Sequence, residues 1–392
     1  MSWEQKTLDQ LGSVSRGRSK HRPRDDKRLF GGKYPFIQTA EVKAANFYIT
    51  EYSQTYSDFG LAQSKLWHPG TLCITIAANI ADSAILGMDA CFPDSVIGFI
   101  PFEGVSDVRF MKYCFDLLQQ DCKQISQGTA QDNLSWKKLS TIKFPAPPYE
   151  KQVRIADILS VYDDLIENNQ KQIKLLEEAA QRLYKEWFVD LHFPGYEDVA
   201  IVDGVPEGWN RLPMSQIGEY LNGFAFKPSD WQEKGLPIIK IKEMGNGISN
   251  DTPRNNGERV PEKYLIKAGD ILFSWSATLM AIIWDNEDGW LNQHLFKVTP
   301  AEGIGREYLL QSIQHTIDEF KNLTTGSTMK HIQRGKLDQV YANVPTSEIM
   351  EMFGKICEVY REEIITLSRK ITIATEARDR LLPKLMTGEL EV

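Results

Sequence analysis

"PPYEKQVRIADILSVYDDLIENNQKQIKLLEEAAQRLYKEWFVD", residues 147–190, decides the fold. From Ile155, core-type positions step by four and three through Leu159, Tyr162, Ile166, Asn169, Ile173, Leu176, Ala180, Leu183 and Trp187. A spacing near 3.5 residues held over that length is a heptad seam, and it predicts a long helix packed against another helix. Asn169, a polar residue on the seam, is expected to be buried there and to fix the register. Pro148 ahead of the run and Glu150 in its first turn are helix-start signals.

The partner helix is in the same chain. Adding 198 to the seam gives Phe353, Cys357, Tyr360, Ile364, Leu367, Ile371, Ala374, Arg378, Leu381 and Leu385. The same offset aligns "QGTAQDNLSWKKLSTIKFPAP" (127–147) with "TGSTMKHIQRGKLDQVYANVP" (325–345). Upstream the offset drifts, as loop insertions make it, so that Gly12 pairs with Gly218 and Trp3 with Trp209. Two matched seams in one chain pack most naturally on each other. Arg378 on the second seam and Pro383 near its end depart from the first copy, which makes docking on a partner the alternative for the last turns.

Around the helices, short β-rich runs alternate with turn residues: "YPFIQ", "GTLCITIAA" and "SVIGFIPF" in the first copy, "LPIIKIK", "GDILFSW" and "MAIIW" in the second. Each block also carries one predicted helix, "VRFMKYCFDLLQQ" and "REYLLQSIQHTIDEF". The expected fold is α+β: two mixed α/β domains separated by two long antiparallel coiled-coil helices, with a pseudo-two-fold internal repeat. The boundaries are 1–149 for the first block, 150–190 for the central helix, 191–347 for the second block and 348–392 for the C-terminal helix.

Most enzyme chemistries lack their motifs here. "APPY" (146–149) differs at one position from the Asp/Asn/Ser-Pro-Pro-aromatic site of DNA amino-methyltransferases. The first residue of that site accepts a hydrogen bond from the target amine, and Ala146 cannot. No Gly-rich methyl-donor loop follows an early strand. None of the Gly-Lys pairs is followed by Ser or Thr as a phosphate loop requires. The 6 histidines and 5 cysteines show no ligand spacing, so the cysteines are expected to be small buried hydrophobes and no metal or cofactor is expected on the chain. No apolar run reaches membrane-span length, and the polar start carries no secretory signal, so a cytoplasmic protein is expected.

What remains is binding. The net charge of −8 conceals one basic run, "SRGRSKHRPRDDKR". Two different blocks with polar loops, held apart by rigid helices, suit bipartite reading of a linear polymer such as double-stranded DNA. Arg and Lys contact phosphates or guanine, while Asn and Gln read adenine. A helix of about 38 residues is roughly 57 Å long at about 1.5 Å per residue, an upper limit of about 17 base pairs. Candidate contacts in the first block are Arg16, Arg18, Lys20, Arg22 and Arg24 in the basic run, with Asn79, Gln127, Thr129 and Gln131. In the second they are Lys240, Lys242, Asn246, Arg254, Asn255, Ser274, Ser276, Thr278, Ser327 and Lys330.

With these features the chain resembles the specificity (S) subunit of type I restriction-modification enzymes. The central-helix string quoted first, "RDRLLPKLMTGELEV" (378–392) and "SQGTAQDNLSWKKLSTIKFPAP" (126–147) carry the resemblance, which covers nearly the whole chain. It implies two target-recognition domains, each binding one half of a gapped DNA site, and helices that set the gap. It also implies that the helices dock two methyltransferase (M) subunits, which hold S-adenosylmethionine and methylate adenine N6. The resemblance leaves open whether a nuclease/translocase (R) subunit joins them for restriction. The rival readings are a self-sufficient methyltransferase, which the missing motifs oppose, and a structural coiled-coil adaptor without DNA specificity. A scaffold has little need for different loops on its two blocks.

Overall fold

A computed structural model describes residues 3–76, 82–125, 139–323 and 334–392. Packing divides the chain into two units, Met1–Gln170 with Arg369–Val392, and Lys171–Ser368. The predicted helices run over Tyr149–Tyr184, continued by a π-type turn at Lys185–Val189, and over Ser347–Thr387 with Pro383 inside.

In unit 1, strand Glu4–Thr7 pairs with Lys143–Ala146 directly ahead of the central helix. A five-stranded sheet follows the order Gly12–Arg16, Val96–Pro101, Leu72–Thr75, Ser83–Leu86 and Tyr48–Ile49. A four-stranded sheet runs Gln54–Tyr56, Phe30–Phe36, Ala90–Cys91 and Leu66–Trp67. Helix Val108–Ile125 completes the block. Unit 2 repeats the plan: Asn210–Pro213 pairs with Tyr341–Val344, and Gly218–Asn222, Leu295–Pro300, Ile271–Ser274 and Met280–Ile283 form the corresponding sheet. The repeat holds to the residue at the block helices, because Val108–Ile125 shifted by 198 is Arg306–Leu323. The strands before the long helices shift by the same amount.

"APPY" has a structural task. Ala146 ends the strand, and Gln152, in the first turn of the helix, donates to the carbonyls of Pro147 (2.9 Å) and Val105 (3.0 Å). Its Oε1 accepts from the Asp107 backbone N–H at 3.1 Å, so one buried amide ties helix to block.

The long helices enter the block cores, which the seam alone does not predict. Ile155, Ala156 and Leu159 join Leu382, Leu385 and Met386 in the unit 1 core with Leu72, Ile97, Phe99 and Phe115. Within that unit the helices run antiparallel, the start of one beside the end of the other. Unit 2 shows the same sense around Phe188, which meets Phe353 at 5.0 Å and Tyr308 at 5.0 Å between ring centroids. Burying one such aromatic contributes about 1.5–3 kcal/mol. Of the remaining seam positions, Ile166, Asn169, Ile364 and Leu367 are buried, while Tyr162, Ile173, Leu176, Leu183, Tyr360, Ile371 and Leu381 are half-buried.

Arg378 does not disrupt the seam; it is answered there. Its guanidinium donates to Asp163 Oδ1 at 2.5 Å, and the Tyr113 hydroxyl donates to Oδ2 at 2.5 Å. Asp163 is buried, and its charge is tolerable only because both partners reach it. Burial and the neighbouring Asp163 carboxylate push the Tyr113 phenol far above its ordinary value.

Removing the arginine by Arg378→Met strands a buried carboxylate and is expected to cost about 3 kcal/mol in urea unfolding. Asp163→Asn in the same chain should recover part of that loss. Asn169 tests the opposite case, since its buried Nδ2 has no hydrogen-bond partner among the described residues. Asn169→Leu is expected to raise stability by about 1 kcal/mol, read as a higher urea midpoint; a fall would show that the amide is satisfied in solution.

Candidate nucleic-acid interface

Arg16 ends the edge strand Gly12–Arg16, paired with Val96–Pro101 in the register Ile97↔Arg16. The chain then passes so close to Phe92 and Pro93 that a Cβ on Gly17 would sit 2.3–2.4 Å from their carbonyl oxygens, so only glycine fits. From there the basic run is pinned rather than loose. Arg18 N–H donates to Phe92 O (2.9 Å), Lys20 N–H to Gln63 O (3.0 Å), and Ser64 Oγ to Arg18 O (2.8 Å). Arg16, Arg18 and Lys20 are exposed cations on this pinned backbone, with no side-chain partner among the described residues.

The rest of the run is partly neutralised. Arg24 is bidentate to Asp94 at 3.0 and 3.1 Å. Arg28 and His21 converge on Asp26, holding its carboxyl far below the usual range, chiefly through the side-chain and backbone hydrogen bonds of Arg28. Arg22 turns its guanidinium back onto the carbonyls of Ser19 and His21, both at 2.8 Å, and keeps its charge. The exposed ring of Phe59 lies 5.2 Å from both the Arg28 guanidinium and the His21 ring, an aromatic contribution that no pattern in the chain singles out.

In unit 2 the candidates separate into two groups. Lys240 caps helix Ile241–Asn246, whose buried Glu243 accepts from Lys240 N–H at 3.1 Å and from Thr252 Oγ1 at 3.2 Å. The Lys240 ammonium then lies 4.6 Å from the ring centre of Trp231, a half-exposed indole that sequence reasoning also misses. Asn246 and Thr278 are exposed. Lys242 pairs with Asp251 at 2.6 Å, and that bond pulls the Asp251 carboxyl down to about 2. Arg254 bridges Gly235 O and Glu287, each at 3.0 Å.

The other group builds the fold. Asn255 is buried, donating to Asp230 O (2.7 Å) and accepting from Gly257 N–H (2.8 Å). Ser274 is buried between the Thr278 carbonyl, to which it donates, and Met280 N–H, from which it accepts at 2.9 Å; Ser276 is buried beside it. These three side chains are buried in the fold and are not presented to a ligand. Asn79, Gln127, Thr129, Gln131, Ser327 and Lys330 lie outside the described residues. Cys73, Cys91, Cys114 and Cys357 are free and buried, and no three His, Cys, Asp or Glu among the described residues are grouped to hold a metal.

The sequence model of the type I restriction modification DNA specificity domain matches residues 1–178 and again 206–376, once per copy. The chain is 24% identical over 413 residues to the type I restriction enzyme MjaIX specificity subunit of Methanocaldococcus jannaschii, across 100% of this chain and 94% of that protein. It is 24% identical over 460 residues to the HindI specificity subunit of Haemophilus influenzae, covering 97% and 98%. The type I restriction-modification S subunit from M. genitalium shares the fold at a TM-score of 0.51 and 17% identity, over 98% of this chain and 96% of that one. With both copies matched and the two-block, two-helix plan shared, this chain belongs to the type I restriction modification DNA specificity family.

Proposed function

We propose that the chain is the non-catalytic recognition subunit of a type I restriction-modification complex, each block reading one half of a gapped DNA site. The observation that carries this is the family match on both copies, set beside loop surfaces that differ between them. One block presents pinned arginines, Arg16 and Arg18; the other presents Lys240 over Trp231, with Asn246 and Thr278. Two unlike readers on one frame give an asymmetric site. The adaptor reading leaves that difference without a purpose.

Exposed apolar residues on the helices support a reading of the partners. Val161 and Leu175 on the central helix are 65% and 63% exposed, and the residues 198 further on, Val359 and Ile373, are 63% and 67% exposed. Large apolar side chains left in water at equivalent positions of both helices support docking of two copies of one partner. In this reading the partners are two methyltransferase subunits, which would hold S-adenosylmethionine and methylate adenine N6, with nuclease/translocase subunits joining for restriction. The assembly would act on DNA in the cytoplasm. No described helix is long and apolar enough to cross a membrane.

A base-resolution map of N6-methyladenine, in cells expressing the chain with its neighbouring methyltransferase, is expected to show a gapped two-part motif that vanishes when the chain is deleted. Methylation that persists unchanged would leave the adaptor reading. Salt-titrated binding to the mapped site tests the basic surface. Each of Arg16→Ala, Arg18→Ala and Arg22→Ala should flatten the dependence of log K on log salt by about 0.9 for each phosphate no longer neutralised. Arg24→Ala, already paired with Asp94, should change it less.

A further inference from the structure

Corresponding strands of the two units end in different chemistry. In unit 1, Arg16 ends Gly12–Arg16 opposite Ile97, and Thr75 ends Leu72–Thr75 opposite Val96. In unit 2, Asn222 ends Gly218–Asn222 opposite Phe296, and Ser274 ends Ile271–Ser274 opposite Leu295. The same close approach follows in each. A Cβ on Gly223 would strike the Leu291 and Asn292 carbonyls, as one on Gly17 would strike those of Phe92 and Pro93. Phe224 N–H then donates to Leu291 O (2.8 Å), as Arg18 N–H does to Phe92 O (2.9 Å). Asn222 therefore stands where Arg16 stands, Phe224 where Arg18 stands, and Gln293 takes the place of Asp94. The cations of one unit are replaced by an amide and a ring in the other.

The amide at Asn222 is held in one orientation. Trp275, directly after Ser274, donates its indole N–H to Asn222 Oδ1 at 3.0 Å. Its ring lies beside those of His294 and Phe296, with centroids 5.7 and 6.0 Å away. The backbone that carries it is also fixed. Ser274 Oγ donates to Thr278 O and accepts from Met280 N–H (2.9 Å), while Ala277 holds φ 56°, a left-handed conformation uncommon for a residue with a Cβ. An indole N–H is a donor only, so it selects the oxygen end of the amide. Asn222 itself is exposed, and its Nδ2 donates to nothing among the described residues. Its Oδ1 keeps a second lone pair.

We propose that Asn222, oriented by Trp275, reads an adenine edge in the half-site bound by unit 2. In the major groove adenine presents the N7 acceptor beside the N6 amino donor, and a single amide answers both. Guanine in that place offers two acceptors and sets its O6 against Oδ1. Arg16 and Arg18 gain from phosphates in any sequence, whereas an uncharged amide gains from a matching base. This inference rests on the proposed role in DNA recognition. Within it, Asn222 is the contact and Trp275 a positioning residue.

The test is competition binding of the full chain, in complex with methyltransferase subunits, to duplexes carrying the mapped site with each base pair replaced in turn. Asn222→Ala is expected to reduce the preference for A·T at one position of one half-site about tenfold, while every other position keeps its own. Asn222→Asp keeps the oxygen that Trp275 bonds but loses the donor to N7, and should move the preference there towards cytosine. Trp275→Phe keeps a ring and removes the N–H, so it should relax the same position by a smaller factor. Unaltered preferences, relaxation at a G·C position, or an equal loss of affinity for all duplexes overturns the proposal and leaves the recognition reading standing. Wild-type protein that binds every duplex alike overturns both.

Discussion

A carboxylate buried at Asp163 is the constraint around which unit 1 is arranged. It is answered by Arg378, 215 residues away in sequence, and by Tyr113 from the block helix, 50 residues away. Three elements therefore meet at one side chain: the block helix, the central helix and the C-terminal helix. An uncompensated buried charge is costly enough that none of the three can drift without loss. Apolar burial of Ile155, Leu159, Leu382 and Leu385 supplies most of the attraction, but it is non-directional. The ion pair adds what burial lacks, a fixed register between helices.

Much of this plan is legible in the sequence because periodicity and repetition are properties of the chain itself. The heptad from Ile155 places the helix, the constant offset of 198 places its partner, and the block helices are read from their own runs; the structure then shows that these too are 198 residues apart. Less legible is what each seam position touches. Asp163 sits one residue from the expected Tyr162, yet Asp163 is buried and Tyr162 only half so, because the helix also faces the block and not only its partner. A one-dimensional pattern cannot show a second packing face when charged residues occupy it. Arg378 looks like a fault in the seam for the same reason.

The interface is legible in part. Clustering of arginines identifies the basic run, but whether each cation is available depends on neighbours distant in sequence: Asp94 claims Arg24, while Arg16 and Arg18 remain uncovered. Asn255 and Ser274 have the right chemistry for base contact and are spent on their own backbone. Trp231 and Phe59 escape notice in the sequence because aromatic residues are read as core by default, and only the fold shows them facing solvent.

The composition of the two units also orders their assembly in time. Unit 2 is one continuous stretch, Lys171–Ser368, whereas unit 1 is split and needs Leu382, Leu385 and Met386 to close its core. During synthesis the block made first therefore waits, with apolar surface uncovered, while the block made second already has every residue it needs. Domains usually complete in the order they leave the ribosome; here that order is inverted. A truncated product lacking residues after 368 would keep an intact second unit and an open first one, a form that quality-control proteases distinguish readily from the finished protein.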